Sequence, residues 1–242
     1  GMVFDFSHVK RIIKQVIDEC IDHRLLVPGH APGLQLRREG DIYTLEWALD
    51  DGTALTHVSP GVALILIPGE RIEASAVAGV IIKELRKALP GNVKDVHIQL
   101  REEVIDGPWY HYVHGLKKHA GNCQRIAHGH RSRLEIWRNG ERCPTLEQTW
   151  ASRWRDIYVG TEEDIADRFL RDDVAYYRFS YQANQGDFEL EIPAARVYLM
   201  DTDTTVELIA AHLADQCKRA QPDARIRVKA FEGVGKGAIA ER

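Results

Sequence analysis

His128 and His130 stand two residues apart in an alternating, strand-prone run that continues to Trp137, so both imidazoles point to one face of the same strand. That spacing constrains the chain more than any other feature: a strand must run here, and its histidine-bearing face must be supplied with partners. The surrounding stretch from Tyr112 to Trp137 reads YVHGLKKHAGNCQRIAHGHRSRLEIW and also holds His114, His119 and Cys123, although the whole chain has only 11 His and 4 Cys. Catalytic zinc sites take three protein ligands and leave a position open, and His114, on the preceding β-prone run, is the natural third donor to His128 and His130. Cys123 is either a further ligand or, as a thiolate beside a metal ion, a base or nucleophile. His111 and His119 have only proximity in their favour. Lys117, Lys118, Arg131 and Arg133 read as a solvated face.

The bulk composition narrows the partners. The net charge of -4, from 32 basic and 36 acidic residues, provides no field to hold a phosphate backbone, so nucleic acid is not the expected partner. The longest uncharged apolar run, Val62 to Pro68, is far short of the roughly 20 residues that cross a bilayer. No secretory signal pattern opens the chain, and Gly1 before Met2 has the look of a tag scar, so a cytoplasmic protein is expected. Cys20, Cys123, Cys143 and Cys217 are scattered without a C-x-x-C pair, which argues against a disulfide framework and a Cys-rich structural zinc site.

In chain order, Phe6 to Cys20 has helical apolar spacing with Ser7 as its expected N-cap. A hairpin over residues 34–47 and a third strand at Val62 to Ile67 follow, then a helix from Ala74 to Leu89 and a strand from Val96 to Leu100. Beyond Gly107-Pro108, the aromatic run Trp109 to Val113 leads into the histidine stretch. Helical patterns are read over Pro144 to Tyr158 and Glu162 to Phe169, and a hairpin over Tyr176 to Val197 around Asn184-Gln185-Gly186. A helix from Thr205 to Ala220 and a strand from Arg225 to Phe231 close the chain. Helix-then-strand thus occurs twice without a linker, which predicts two similar α+β units joined near Tyr112, with the Tyr112 strand in a sheet shared by both.

HGLKKHAGNCQRIAHGH resembles the zinc-site segment of the 6-pyruvoyltetrahydropterin synthase and 6-carboxytetrahydropterin synthase family: an upstream histidine, a cysteine and His-Gly-His. GMVFDFSHVKRIIKQVIDECIDHRLL is similar to the family's Gly-Met-Val-x-Asp-Phe helix that ends in Asp-His-x-x-Leu. Thr204 to Ala210 resembles its Pro-Thr-x-Glu-x-Leu-Ala helix start, and Val228 to Gly233 its strand ending in Glu-Thr, with Gly233 in place of the threonine. These segments cover about a quarter of the chain.

The resemblance implies that His114, His128 and His130 bind zinc, that Cys123 is the catalytic thiol, and that Asp22 with His23 forms a proton relay. Glu232 would anchor a pterin, and Glu102 would be its counterpart in the first half. The implied activity is conversion of 7,8-dihydroneopterin triphosphate to a 6-carboxy- or 6-pyruvoyl-tetrahydropterin product, with the carboxy branch preferred, in a homo-oligomer. The alternatives are another pterin or purine conversion on the same fold, and a zinc-stabilised assembly protein that has lost its relay.

The order of the segments departs from the family, in which the hairpin precedes the Asp-Phe helix. A tandem duplication accounts for this: an α+β chain of two tunnelling-fold units, antiparallel sheets with helices on one face, at residues 1–112 and 113–242. The first unit lacks its opening hairpin, so the natural protein is expected to begin upstream or to complete that sheet through another subunit. The first unit would supply Asp22-His23 and the second the metal hairpin, so the site works only if the two meet.

Overall fold

The computed structural model describes residues 5–242. Gly1 to Phe4, and with them the start of the Gly-Met-Val-x-Asp-Phe motif, lie outside the described residues. Helix α1 (Phe6–Cys20) is capped by Asp5 rather than Ser7: the Asp5 carboxylate accepts from the Ser7 main-chain N–H at 2.7 Å. Strands β1 (Leu25–Pro28), β2 (Leu34–Glu39), β3 (Ile42–Ala48), β4 (Ala54–Pro60) and β5 (Leu64–Ile67) follow, then helix α2 (Ala74–Ala88). The third strand of the meander is therefore β4. The run from Val62 to Ile67 divides into a 3₁₀ turn at Gly61–Ala63 and β5, because Pro60 has no N–H with which to extend the ladder.

The second part opens with β6 (Trp109–His114), β7 (His128–Arg138) and the two-residue β8 (Glu141–Arg142), followed by α3 (Pro144–Arg153) and β9 (Arg155–Thr161). Strands β10 (Ile165–Arg171), β11 (Val174–Ala183), β12 (Gly186–Pro193) and β13 (Val197–Met200) lead to α4 (Val206–Ala220), β14 (Ile226–Gly233) and β15 (Lys236–Glu241). Two expected helical stretches are corrected. The helix from Pro144 ends at Arg153, and Ile157-Tyr158-Val159 lies in β9, as β-branched and aromatic residues favour. Glu162 to Phe169 holds only a 3₁₀ turn, Glu162–Asp164, before β10 begins.

The architecture is α+β, with sheets that are partly parallel rather than purely antiparallel. One sheet runs β13-β9-β6-β7-β14-β15, with β9 parallel to both neighbours. Helix α4 buries Val206, Ile209, Ala210, Leu213, Ala214 and Cys217 along one stripe against Ile226, Val228 and Ala230 of β14. The second sheet runs β10-β11-β12-β4-β3-β2, and it, not the Tyr112 strand, is the one shared by both parts. Strand β6, which carries Tyr112, pairs only with β7 and β9 among the described residues. The expected strand at Val96 to Leu100 is absent: residues 93–106 have no regular structure, since no described strand lies alongside to form a ladder, while Val96 and Ile98 pack on the α1–α2 core.

The order of elements recurs. A helix, a strand, a three-stranded meander, a 3₁₀ turn after proline, a strand parallel to the first and a 15-residue helix appear from α1 to α2 and again from α3 to α4. The shift that carries Leu25 onto Tyr158 also carries its parallel partner Leu64 onto Val197. The same shift carries His57 onto Leu190, and these two residues face each other where β4 meets β12. Ile126, in the loop between β6 and β7, is fully buried in the cluster formed by Phe179, Leu190 and Tyr158, which fastens that loop to the shared sheet.

Candidate metal centre and thiol–histidine pair

Pairing of His114 with His128 and of Tyr112 with His130 across β6 and β7 brings the three histidines to one face. Gly129 between them is required by close approach: a Cβ there would lie 2.8 Å from Val113 Cγ1 and 3.2 Å from the Tyr112 carbonyl oxygen. One nitrogen of each of His114, His128 and His130 lies within 4.8 Å of the others. The opposite nitrogens are all engaged. His114 Nδ1 is 2.9 Å from Thr204 Oγ1, His128 Nδ1 2.8 Å from the Arg125 carbonyl, and His130 Nδ1 3.0 Å from the Glu232 carbonyl. Bonding at Nδ1 fixes each tautomer and leaves the Nε2 lone pair for a ligand.

The fit to a metal ion rests on that arrangement. His114 is 1% exposed and its Nε2 is a buried atom without a hydrogen-bond partner, a costly state unless something accepts the lone pair. Burial pushes the His128 imidazole down to about 3 and the His130 imidazole down to about 4, with neighbouring histidines adding to the effect, and holds His114 well below its usual range. All three are neutral at pH 7, the form that binds metals. A second triad, His23, Cys123 and His128, also brings its donor atoms within 4.8 Å, but it would leave His114 Nε2 unpartnered.

Asp22 and His23 follow the end of α1, where His23 takes a left-handed backbone at φ +56°. Arg24 Nη2 donates to the Glu19 carbonyl at 2.6 Å and ties the turn back onto the helix. The turn places His23 Nε2 3.4 Å from Cys123 Sγ and His23 Nδ1 2.8 Å from Asp22 Oδ2. The His23 ring centroid lies 5.0 Å from that of His128. Burial raises the Cys123 thiol above its usual range, and the charges of Glu232 and Asp22 add to this.

Asp22, His23, His128, His130, Glu232 and Lys236 are among the residues that line a cleft of about 310 Å³, whose lining does not include Cys123 or His114. Glu232 is half-buried; burial first, and then the nearby Glu207 carboxylate, raise its pKa. Glu102 is exposed in the irregular segment and does not line this cleft. His111 and His119 are also outside the cluster, with His111 Nδ1 2.7 Å from Asp156 Oδ1. The fixing contact of Thr204 on His114 was not expected from the sequence, although a threonine just before the N-cap Thr205 is a visible signal.

The family whose sequence model is described as 6-pyruvoyl tetrahydropterin synthase matches residues 108–242, more than half of the chain and all of the histidine cluster. The chain belongs to that family. Solved structures similar to it include 6-pyruvoyltetrahydropterin synthase from Plasmodium vivax, at 10% identity and TM-score 0.41, covering 55% of this chain and 91% of that one. A catalytic-residue mutant of the same enzyme gives 11% identity with the same coverage and TM-score. 6-Pyruvoyl tetrahydropterin synthase from Plasmodium falciparum gives 9% identity, again with a TM-score of 0.41. No curated protein sequence matches the chain. No helix among the described residues is long and apolar enough to cross a membrane.

Proposed function

We propose that this protein is a zinc-dependent pterin synthase-like lyase that acts on 7,8-dihydroneopterin triphosphate and yields a 6-carboxy- or 6-pyruvoyl-tetrahydropterin product, the carboxy branch being preferred. The observation that carries the reading is the approach of His23 Nε2 to Cys123 Sγ at 3.4 Å beside three converging histidines. A zinc-stabilised assembly protein without a relay would have no need of that contact.

His114, His128 and His130 would hold the zinc ion, which when bound supplies Lewis-acid polarisation of substrate side-chain oxygens. Cys123, as the thiolate, takes a proton from a side-chain carbon and returns it at a later step. His23 Nε2 accepts the thiol proton and gives it back, with an Asp22 carboxylate oxygen 2.8 Å from its Nδ1. Glu232 at the cleft wall orients the pterin, whose 2-amino and N3–H groups form two parallel donors that match a carboxylate. The raised Cys123 pKa applies to the metal-free protein, and a cation at the histidines would lower it.

The proposal includes a tandem origin, with the unit up to residue 112 supplying the relay and the unit from 113 supplying the hairpin. The recurrence of elements and the facing of His57 with Leu190 support it. It also includes a homo-oligomer joined through the outer edges of β13 and β15, and a cytoplasmic location in keeping with four unpaired cysteines. The test is incubation of zinc-loaded protein with dihydroneopterin triphosphate and identification of products by mass. A 6-carboxy or 6-pyruvoyl tetrahydropterin is expected; unchanged substrate would overturn the proposal.

A further inference from the structure

Cys123 sits on a single 3₁₀ turn, Gly121–Gln124, between two left-handed residues, Gly121 at φ +82° and Ala127 at φ +64°. One such turn has poor hydrogen-bond geometry of its own and does not fix a side chain. What holds this one lies far away in sequence. Gln185, at the tip of the β11–β12 hairpin, donates from its main-chain N–H to Gln124 Oε1 at 2.8 Å. Its side-chain Oε1 accepts from Arg125 Nε at 2.8 Å, and its Nε2 donates to Asn122 Oδ1 at 2.8 Å. One residue therefore binds the side chains of three residues that flank Cys123.

The same turn is gripped from the other side by the end of α1. Asn122 Nδ2 donates to the Asp18 carbonyl at 3.2 Å, and Arg125 Nη1 donates to the Asp22 carbonyl at 3.3 Å. Asn122 and Arg125 thus each bridge Gln185 to the helix end that carries the Asp22-His23 relay. In the Arg125 guanidinium, burial lowers the pKa to about 10, so it is still charged at neutral pH and its bonds to Gln185 and Asp22 are charge-assisted.

We infer that Gln185 is a positioning residue for the thiol–histidine pair: it locks the Cys123 turn against the end of α1 and so sets the separation of Cys123 Sγ and His23 Nε2. The six-stranded sheet then has a role in the chemistry, because it is the beam that delivers the hairpin tip to the turn. The inference rests on the proposed function for its kinetic consequence only; its structural consequence is readable without any pterin.

Gln185→Ala removes the two side-chain bonds, to Arg125 and Asn122, and keeps the main-chain bond to Gln124, so the turn loosens and the half-buried thiol is more exposed. Alkylation of Cys123 by iodoacetamide in zinc-loaded protein, followed by peptide mass mapping, is expected to accelerate about fivefold or more with zinc content unchanged. The neighbouring Asn184→Ala serves as the control and should alkylate as the parent does. In turnover, Gln185→Ala should lower kcat about tenfold with KM within about twofold, since a misplaced acid–base pair slows chemistry without weakening binding. Gln185→Glu, which still accepts from Arg125, should recover much of the lost kcat. An alkylation rate within about twofold of the parent, or an equal effect of Asn184→Ala, overturns the inference. Absence of pterin turnover in the parent would sink the proposed function and leave the alkylation result to decide the inference by itself.

Discussion

Cys123 Sγ lies 3.4 Å from His23 Nε2, although the two residues are 100 positions apart in the chain. The first end of this contact depends on the β6–β7 loop and the second on the turn that ends α1. If the pair moves protons, His23→Ala should lower kcat by about 10²–10⁴ while zinc content stays at the parent level. Steady-state kinetics with metal analysis of the same samples checks both halves of the statement. Loss of zinc with loss of turnover would make His23 a ligand instead.

The two overlapping donor triads make opposite predictions for metal retention. With zinc on His114, His128 and His130, His114→Ala should strip the metal and Cys123→Ala should keep it at about one ion per chain. With zinc on His23, Cys123 and His128 the order reverses. Elemental analysis after dialysis decides between them.

His57 is fully buried between Leu45 and Leu190, and burial lowers its pKa to about 4. The unfolded chain takes up a proton on this side chain near pH 6.5, while the folded chain resists uptake until about pH 4. Stability contributed by the neutral ring is thus fully present above pH 6.5 and is lost as the pH falls towards 4, by an amount on the order of a few kcal/mol. Chemical denaturation of metal-free protein at several pH values should show this decline, and His57→Leu should make it shallower. An unchanged slope would mean that His57 is hydrated in the folded protein.

A Cβ on Gly115 would lie 2.0 Å from the Tyr181 hydroxyl and 3.0 Å from Ile126 Cα. That hydroxyl donates to the Gln124 carbonyl at 2.8 Å, next to Cys123. Gly115→Ala should therefore cost about 1–3 kcal/mol and displace the Cys123 turn. A drop in thermal midpoint together with faster Cys123 alkylation is the expected result; a variant with parental stability and reactivity would show that Tyr181 moves aside freely.

Much of the candidate site is readable from local sequence because its elements are local. Two histidines at strand spacing, a glycine between them and an upstream histidine on a paired strand can be read from one short stretch, and the Asp-His turn from another. What was not legible is long-range. Strand β4 meets β12 through three residue pairs between segments over a hundred positions apart, and no local pattern announces which strands will share a sheet. The Gln185 clamp is made of ordinary amide contacts, which have no sequence motif. The helical reading of Glu162 to Phe169 failed because Ile165 and Phe169 fit a helical period and a strand period alike, and pairing with β11 settled the matter. The expected strand at Val96 to Leu100 has the alternation of a strand but no described neighbour to pair with.

The central claim is that the relay and the metal hairpin of one chain complete each other. Turnover of dihydroneopterin triphosphate should be measured for the parent, for His23→Ala, for Cys123→Ala, and for the two variants denatured, mixed and refolded together. The account predicts an active parent, two inactive variants and a mixture that is equally inactive, since each chain carries one broken half of its own site. Recovery of activity in the mixture would contradict it, because the thiol and the histidine would then meet across two chains.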